Sequence, residues 1–137
     1  MMARPRLLHT MLRVGNLDRA LDFYVGMLGM TLLRRQDFLE GRFTLAFVGF
    51  APEQTGAVIE LTHNWDITRY EPGTAYGHIA IGVPDIRAFT VEAAARGARV
   101  VRAPGPLQGD PGETIAFLAD PDGYRIELIE RPESWLG

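Results

Sequence analysis

Along the chain, apolar residues alternate with polar ones in short runs, broken twice by a stretch of helical spacing. Residues 7–14 (LLHTMLRV) read as a strand. Leu8, Thr10, Leu12 and Val14 share one face, and His9, Met11 and Arg13 the other. Asn16 offers an N-cap, and Leu17, Ala20, Leu21 and Tyr24 recur at helical spacing up to Gly26 or Gly29. A second strand begins at residues 31–35, and a third covers 43–48 after the turn signal Glu40-Gly41. The run 57–65 (AVIELTHNW) is a fourth strand, with Val58, Glu60 and Thr62 on one face and Ile59 and Leu61 on the other.

Residues 64–75 are polar, contain Pro72-Gly73 and read as a connector. The pattern then starts again. A strand spans 76–83 with His78, Ala80 and Gly82 on one face, and a helix starts at Pro84-Asp85 and ends at Gly97. A strand covers 98–101, and the Gly/Pro-rich stretch 103–112 reads as a loop. Two last strands, 114–118 and 124–130, are joined by the turn Asp120-Pro121-Asp122-Gly123. His9 and His78 stand 69 residues apart, as do Val14 and Val83; Phe47 and Phe117 are 70 apart, Glu60 and Glu127 67. A period this long is that of a duplicated module and not of a solenoid. The expected fold is α+β: one domain, residues 1–137, made of two βαβββ modules at about 7–63 and 76–131, whose curved mixed sheets form a concave metal site.

Composition narrows the function classes. The 137 residues carry a formal charge of −3, which gives no support to nucleic-acid binding. No apolar run approaches a membrane span, and Leu7-Leu8 after the basic start Met1–Arg6 is too short for a signal-peptide core, so the cytoplasm is the expected location. With no cysteine, disulfides, thiolate metal sites and a Cys nucleophile are excluded.

The chemistry sits in the repeat. A lone Glu on a strand is ordinarily a solvated edge residue, and a lone His a satisfied structural one. Here one His from the first strand and one Glu from the last strand occur in both halves. Together His9, Glu60, His78 and Glu127 form a donor set suited to Ni²⁺, Co²⁺, Mn²⁺, Fe²⁺ or Zn²⁺. His63 falls on the opposite strand face from Glu60 and reads as structural or exposed. Trp65, Trp135 and the phenylalanines read as core or interface residues.

The stretches LLHTMLRVGNLDRALDFY, LLRR, FTLAFVGF, AVIELTHNW, AYGHIAIGV and DPDGYRIELIE closely resemble the glyoxalase I (lactoylglutathione lyase) family of the vicinal-oxygen-chelate superfamily, from about residue 7 to 131. The resemblance implies isomerisation of the methylglyoxal–glutathione hemithioacetal to S-lactoylglutathione through an enediolate. It implies His9, Glu60, His78 and Glu127 as metal ligands, Glu127 as the principal base with Glu60 as possible partner base, and Arg13 and Asn64 as contacts to the carboxylate ends of glutathione. The chain lacks the long N-terminal extension of zinc-type members, which points to Ni²⁺, with Co²⁺ and then Zn²⁺ as alternatives. A homodimer with sites shared between chains is expected. One departure stands out: Gln108 occupies a position where the family usually has Lys, in a stretch that is acidic here, so another small thiol stays open. The remaining alternatives are an epimerase, an Fe²⁺ extradiol dioxygenase and a drug-sequestering protein of the same fold. The second Glu ligand argues against the dioxygenase, and the complete donor set against the sequestering protein.

Overall fold

The computed structural model describes residues 2–137; Met1 lies outside the described residues. The chain divides into two compact units, Met1–Tyr70 and Glu71–Gly137.

In the first unit, β1 (His9–Arg13), β2 (Thr31–Phe38), β3 (Phe43–Gly49) and β4 (Val58–Asn64) form one sheet in the order β1-β4-β3-β2. β1 runs parallel to β4; the other neighbours are antiparallel. Helix α1 (Leu17–Leu21) starts where expected, because the Asn16 side chain accepts the Arg19 N–H. It continues as a π-helical turn, Asp22–Met27, and Gly29 at φ +86° lets the chain leave towards β2. Leu17, Ala20, Phe23 and Tyr24 are buried with Leu12, Val14, Ala46, Val48 and Leu61, and α1 packs on β4. Truncating Leu61, which is fully buried, would cost about 2–5 kcal/mol. Strand pairing sets Leu12, Leu61 and Ala46 in one row. The adjacent row, Met11, Glu60, Phe47 and Arg34, therefore faces the other way.

The second unit repeats the plan with β5 (Ile79–Val83), α2 (Ile86–Ala95), β6 (Arg99–Leu107), β7 (Asp110–Ala119) and β8 (Arg125–Glu130), in the order β5-β8-β7-β6. Asp85 caps α2 by accepting the Ala88 N–H, and Gly97 at φ +106° follows it. Ile81, Leu128 and Ala116 form the buried row, and Ala80, Glu127, Phe117 and Arg102 the row facing the other way. Both sheets carry a register shift at the same duplicated place, between Leu32 and Arg34 and between Val100 and Arg102.

One expectation needs correction. The stretch 103–112 is no loop: β6 runs on to Leu107, turns at Gln108-Gly109 and returns as β7. Likewise β2 extends to Phe38. Of the residues read as core or interface, Trp135 is 71% exposed in the single chain. It lies in a short 3-10 turn, Glu133–Trp135.

Candidate metal and acid–base site

The duplicated row in each sheet builds one half of a donor set. In the first unit β1 and β4 are parallel, so His9 and Glu60 point from neighbouring strands to the same face. His9 Nε2 stands 3.5 Å from Glu60 Oε1, and Thr62, two residues on, donates its hydroxyl to Glu60 Oε2 at 3.1 Å. The Phe47 ring, beside Glu60 in the row, meets the His9 ring edge-to-face at 5.5 Å. In the second unit His78, just before β5, places Nε2 3.1 Å from Glu127 Oε1, and Phe117 meets its ring at 5.4 Å. Glu127 is the more buried carboxylate, and Ile129 stands where a counterpart of Thr62 would be, so no hydroxyl supports it. Each imidazole thus stands between an aromatic ring and a carboxylate, with Nε2 turned to the carboxylate.

Cis donors on a transition-metal ion with bonds of about 2.1 Å stand about 3.0–3.4 Å apart. The His78–Glu127 separation of 3.1 Å falls within that bite and the His9–Glu60 separation of 3.5 Å lies just beyond it, so the chemistry of both pairs suits a divalent metal and the His9–Glu60 pair needs only a small side-chain shift. Within either unit no third His, Asp or Glu joins such a pair among the described residues.

Arg13, at the end of β1, and Asn64, at the end of β4, lie on the same face as His9 and Glu60. The Asn64 amide donates to Tyr70 Oη at 2.8 Å, which fixes its orientation and leaves its carbonyl oxygen for a ligand. Gln108 sits at the exposed tip of the β6–β7 hairpin. His63 faces the helix side, where Nδ1–H donates to the Val14 carbonyl at 3.1 Å; its role is structural. A cavity of about 300 Å³ opens on that side, lined by His63, Arg35, Thr44 and Trp65 among others, on the wrong face for the His–Glu pair.

Three arginines beside the pairs escaped the sequence reading. Arg34 lies over the Phe47 ring, 3.7 Å from its centroid, and grips Glu53 with two hydrogen bonds of 2.7 and 3.1 Å. Arg131 grips Glu113 at 2.6 and 2.8 Å. Arg102 takes Arg34's place in the second unit, 68 residues on. Its Nη2 donates to the Pro106 carbonyl at 2.6 Å, while Nη1 is buried without a partner. The offset alone signals Arg102; nothing in the sequence signals its unfilled donor.

The sequence profile of the glyoxalase/bleomycin resistance protein/dioxygenase superfamily matches residues 6–128. The chain belongs to this family. Within it the chain falls with glyoxalase I. A lactoylglutathione lyase of Neisseria meningitidis serogroup B is 58% identical over 127 residues, 92% of this chain and 91% of its own. The fold superposes on glyoxalase I from Zea mays with a TM-score of 0.89 at 42% identity, over 93% of this chain but 45% of the maize chain. It also matches the trypanothione-dependent glyoxalase I of Leishmania major, with a TM-score of 0.83 at 41% identity over 97% of this chain and 91% of that one. No helix among the described residues is long and apolar enough to cross a membrane.

Proposed function

We infer that this glyoxalase is a lactoylglutathione lyase, converting the hemithioacetal of methylglyoxal and glutathione to S-lactoylglutathione. One observation carries the reading: a His–Glu pair stands at the same sheet position in both units, in a chain 58% identical to a lactoylglutathione lyase.

The family implies a divalent metal. His9, Glu60, His78 and Glu127 would hold it, and when bound it supplies Lewis acidity towards the charge that develops on the two substrate oxygens. The protein does the proton work. Glu127 takes the proton from the sulfur-bearing carbon and returns it to the neighbouring carbon, while the hydroxyl proton of the first carbon passes to the oxygen of the second, so the hemithioacetal becomes a thioester with no net gain or loss of protons. The difference between the carboxylates supports this assignment. Glu60 is tied by the Thr62 hydroxyl, which occupies one of its two oxygens. Glu127, more buried and without that donor, is the freer base.

Arg13 and Asn64, on the His9 face, are assigned to the polar ends of the carrier thiol, a role supported by their shared face with His9 and Glu60. The buried, unfilled Nη1 of Arg102 adds a donor on the Glu127 face, which a substrate carboxylate would satisfy. A second reading keeps the reaction and changes the thiol. It is favoured by Gln108 and Asp110 at the hairpin tip, which put an amide and an acid where a cation would attract glutathione.

Each unit supplies one His and one Glu, so a four-ligand site takes two units. The arrangement proposed is a C2 dimer, in which His9 and Glu60 of one protomer meet His78 and Glu127 of its partner.

The test is reconstitution. Metal-depleted protein is loaded in turn with Ni²⁺, Co²⁺ and Zn²⁺ and assayed with methylglyoxal and glutathione. Thioester formation, highest with Ni²⁺ and low with Zn²⁺, is expected. Metallated protein that forms no thioester overturns the lyase reading, and Zn²⁺ equal to Ni²⁺ overturns the metal assignment.

A further inference from the structure

Both candidate ligand carboxylates have an arginine in their vicinity, and in both units a second carboxylate already occupies that arginine. On the first sheet Arg34, Phe47 and Glu60 stand in one row across β2, β3 and β4. The Arg34 guanidinium lies on Phe47, and Glu53 takes its Nε and Nη2 hydrogen bonds in a bidentate fork. In the second unit Arg131 follows β8 four residues after Glu127, hence on the same side of the strand direction. Its Nη1 and Nη2 are taken by Glu113, and its guanidinium lies 5.0 Å from the Trp135 ring centroid.

Duplication does not account for this resemblance. Arg34 corresponds to Arg102, whose guanidinium has no carboxylate, and Arg131 corresponds by offset to Asn64. Each half has reached the same arrangement from a different position. A guanidinium fork is the best geometric match a protein offers to a carboxylate. An unrestrained arginine at either place would close on Glu60 or Glu127 and cover the oxygens a metal needs. The electrostatics agree: Glu53 raises the Arg34 pKa first by hydrogen bonding, and the Glu60 charge adds to it. Arg131 is raised in the same way by Glu113, with Glu127 adding.

We propose that Glu53 and Glu113 are positioning residues of the metal site: each holds a neighbouring arginine so that it cannot chelate the ligand carboxylate beside it. This rests on reading the His–Glu pairs as metal ligands, and the test separates the two claims.

Ni²⁺ affinity is measured on metal-depleted protein by competition with a chromophoric chelator, for wild type, Glu53→Gln, and Glu53→Gln combined with Arg34→Met. Glu53→Gln is expected to weaken Ni²⁺ binding about tenfold or more, in the range typical for residues that orient ligands. Removing the freed arginine in the double variant is expected to restore affinity to within about threefold of wild type. A merely structural role for Glu53 gives the opposite result, because the second substitution cannot repair a lost contact. The parallel series uses Glu113→Gln with and without Arg131→Met, and it decides the matter alone if Glu53→Gln fails to fold. Unchanged affinity in the single variants, or no recovery in the doubles, overturns the proposal. Wild-type protein that binds no Ni²⁺ overturns the metal-site reading itself.

Discussion

Replacing Glu127 by Gln isolates the proton transfer from everything else the residue does. The amide has the size of the carboxylate, and the side chain, 12% exposed, pairs with His78 at 3.1 Å. A glutamine can keep its carbonyl oxygen on the side that Oε1 now occupies, so packing and one donor oxygen survive. What is lost is the ability to accept a proton from carbon. General-base removal costs about 10²–10⁴-fold, or roughly 2.7–5.4 kcal/mol of barrier at 1.36 kcal/mol per tenfold. Glu60→Gln differs because two demands fall on that carboxylate: Oε1 faces His9 and Oε2 accepts from Thr62. Its single oxygen serves one of them, and turning the Thr62 hydroxyl around costs about 1 kcal/mol. Its expected effect is several-fold on metal affinity and about tenfold on rate at full metal loading. The assay is single-turnover thioester formation with metal content measured on the same samples. A Glu127→Gln rate within tenfold of wild type at normal metal content, or a larger loss in Glu60→Gln, would refute the assignment of roles.

Three further outcomes follow from the same geometry. Arg102→Met is expected to raise KM for the hemithioacetal about tenfold with little change in kcat, since it removes a charge-assisted bond to the substrate's carrier end and not a reacting group; an unchanged KM would show that its buried Nη1 serves no ligand. His9→Ala and His78→Ala chains, each inactive alone, are expected to regain activity on co-refolding, because the heterodimer rebuilds one intact shared site; confirmed heterodimers without activity would exclude it. Asp120→Ala removes an acceptor for the Asp122 and Tyr124 N–H groups at 2.9 and 2.8 Å in a residue 4% exposed, and is expected to cost about 2–4 kcal/mol in urea unfolding; a loss below about 1 kcal/mol would contradict it.

Most of the scaffold was legible because local chemistry and the global plan agree. Asn16 caps the first helix as its side chain foretold, the second helix starts at the Pro84-Asp85 signal, and alternation put Leu12 and Leu61 on one face and Glu60 on the other. The failure at 103–112 has a physical cause. Pro104 and Pro106 normally count against a strand, but β6 is the outer strand of its sheet, where a missing N–H breaks no ladder. Pro111 likewise lies beyond the part of β7 that pairs with β8. The proposed metal ligands His9, Glu60, His78 and Glu127 stood out in the sequence by recurrence. Arg34–Glu53 and Arg131–Glu113 did not: the partners are 19 and 18 residues apart, of ordinary surface type, and joined only by the way the strands bring them together.

What duplication copied and what it left unequal therefore point to different requirements. The copied elements are the His, the Glu, the aromatic ring against the imidazole and the register shift beside it, which together set a donor bite in each half. The unequal elements surround those donors: Thr62 against Ile129, and a carboxylate-held Arg34 against an unfilled Arg102. A structural ion would be served as well by two identical halves. An isomerase moving one proton between adjacent carbons needs one carboxylate that stays put and one that exchanges a proton, and a substrate with distinct ends needs unlike flanks. The inequality falls where such a reaction requires it, on the residues around the donors, while the donors themselves repeat.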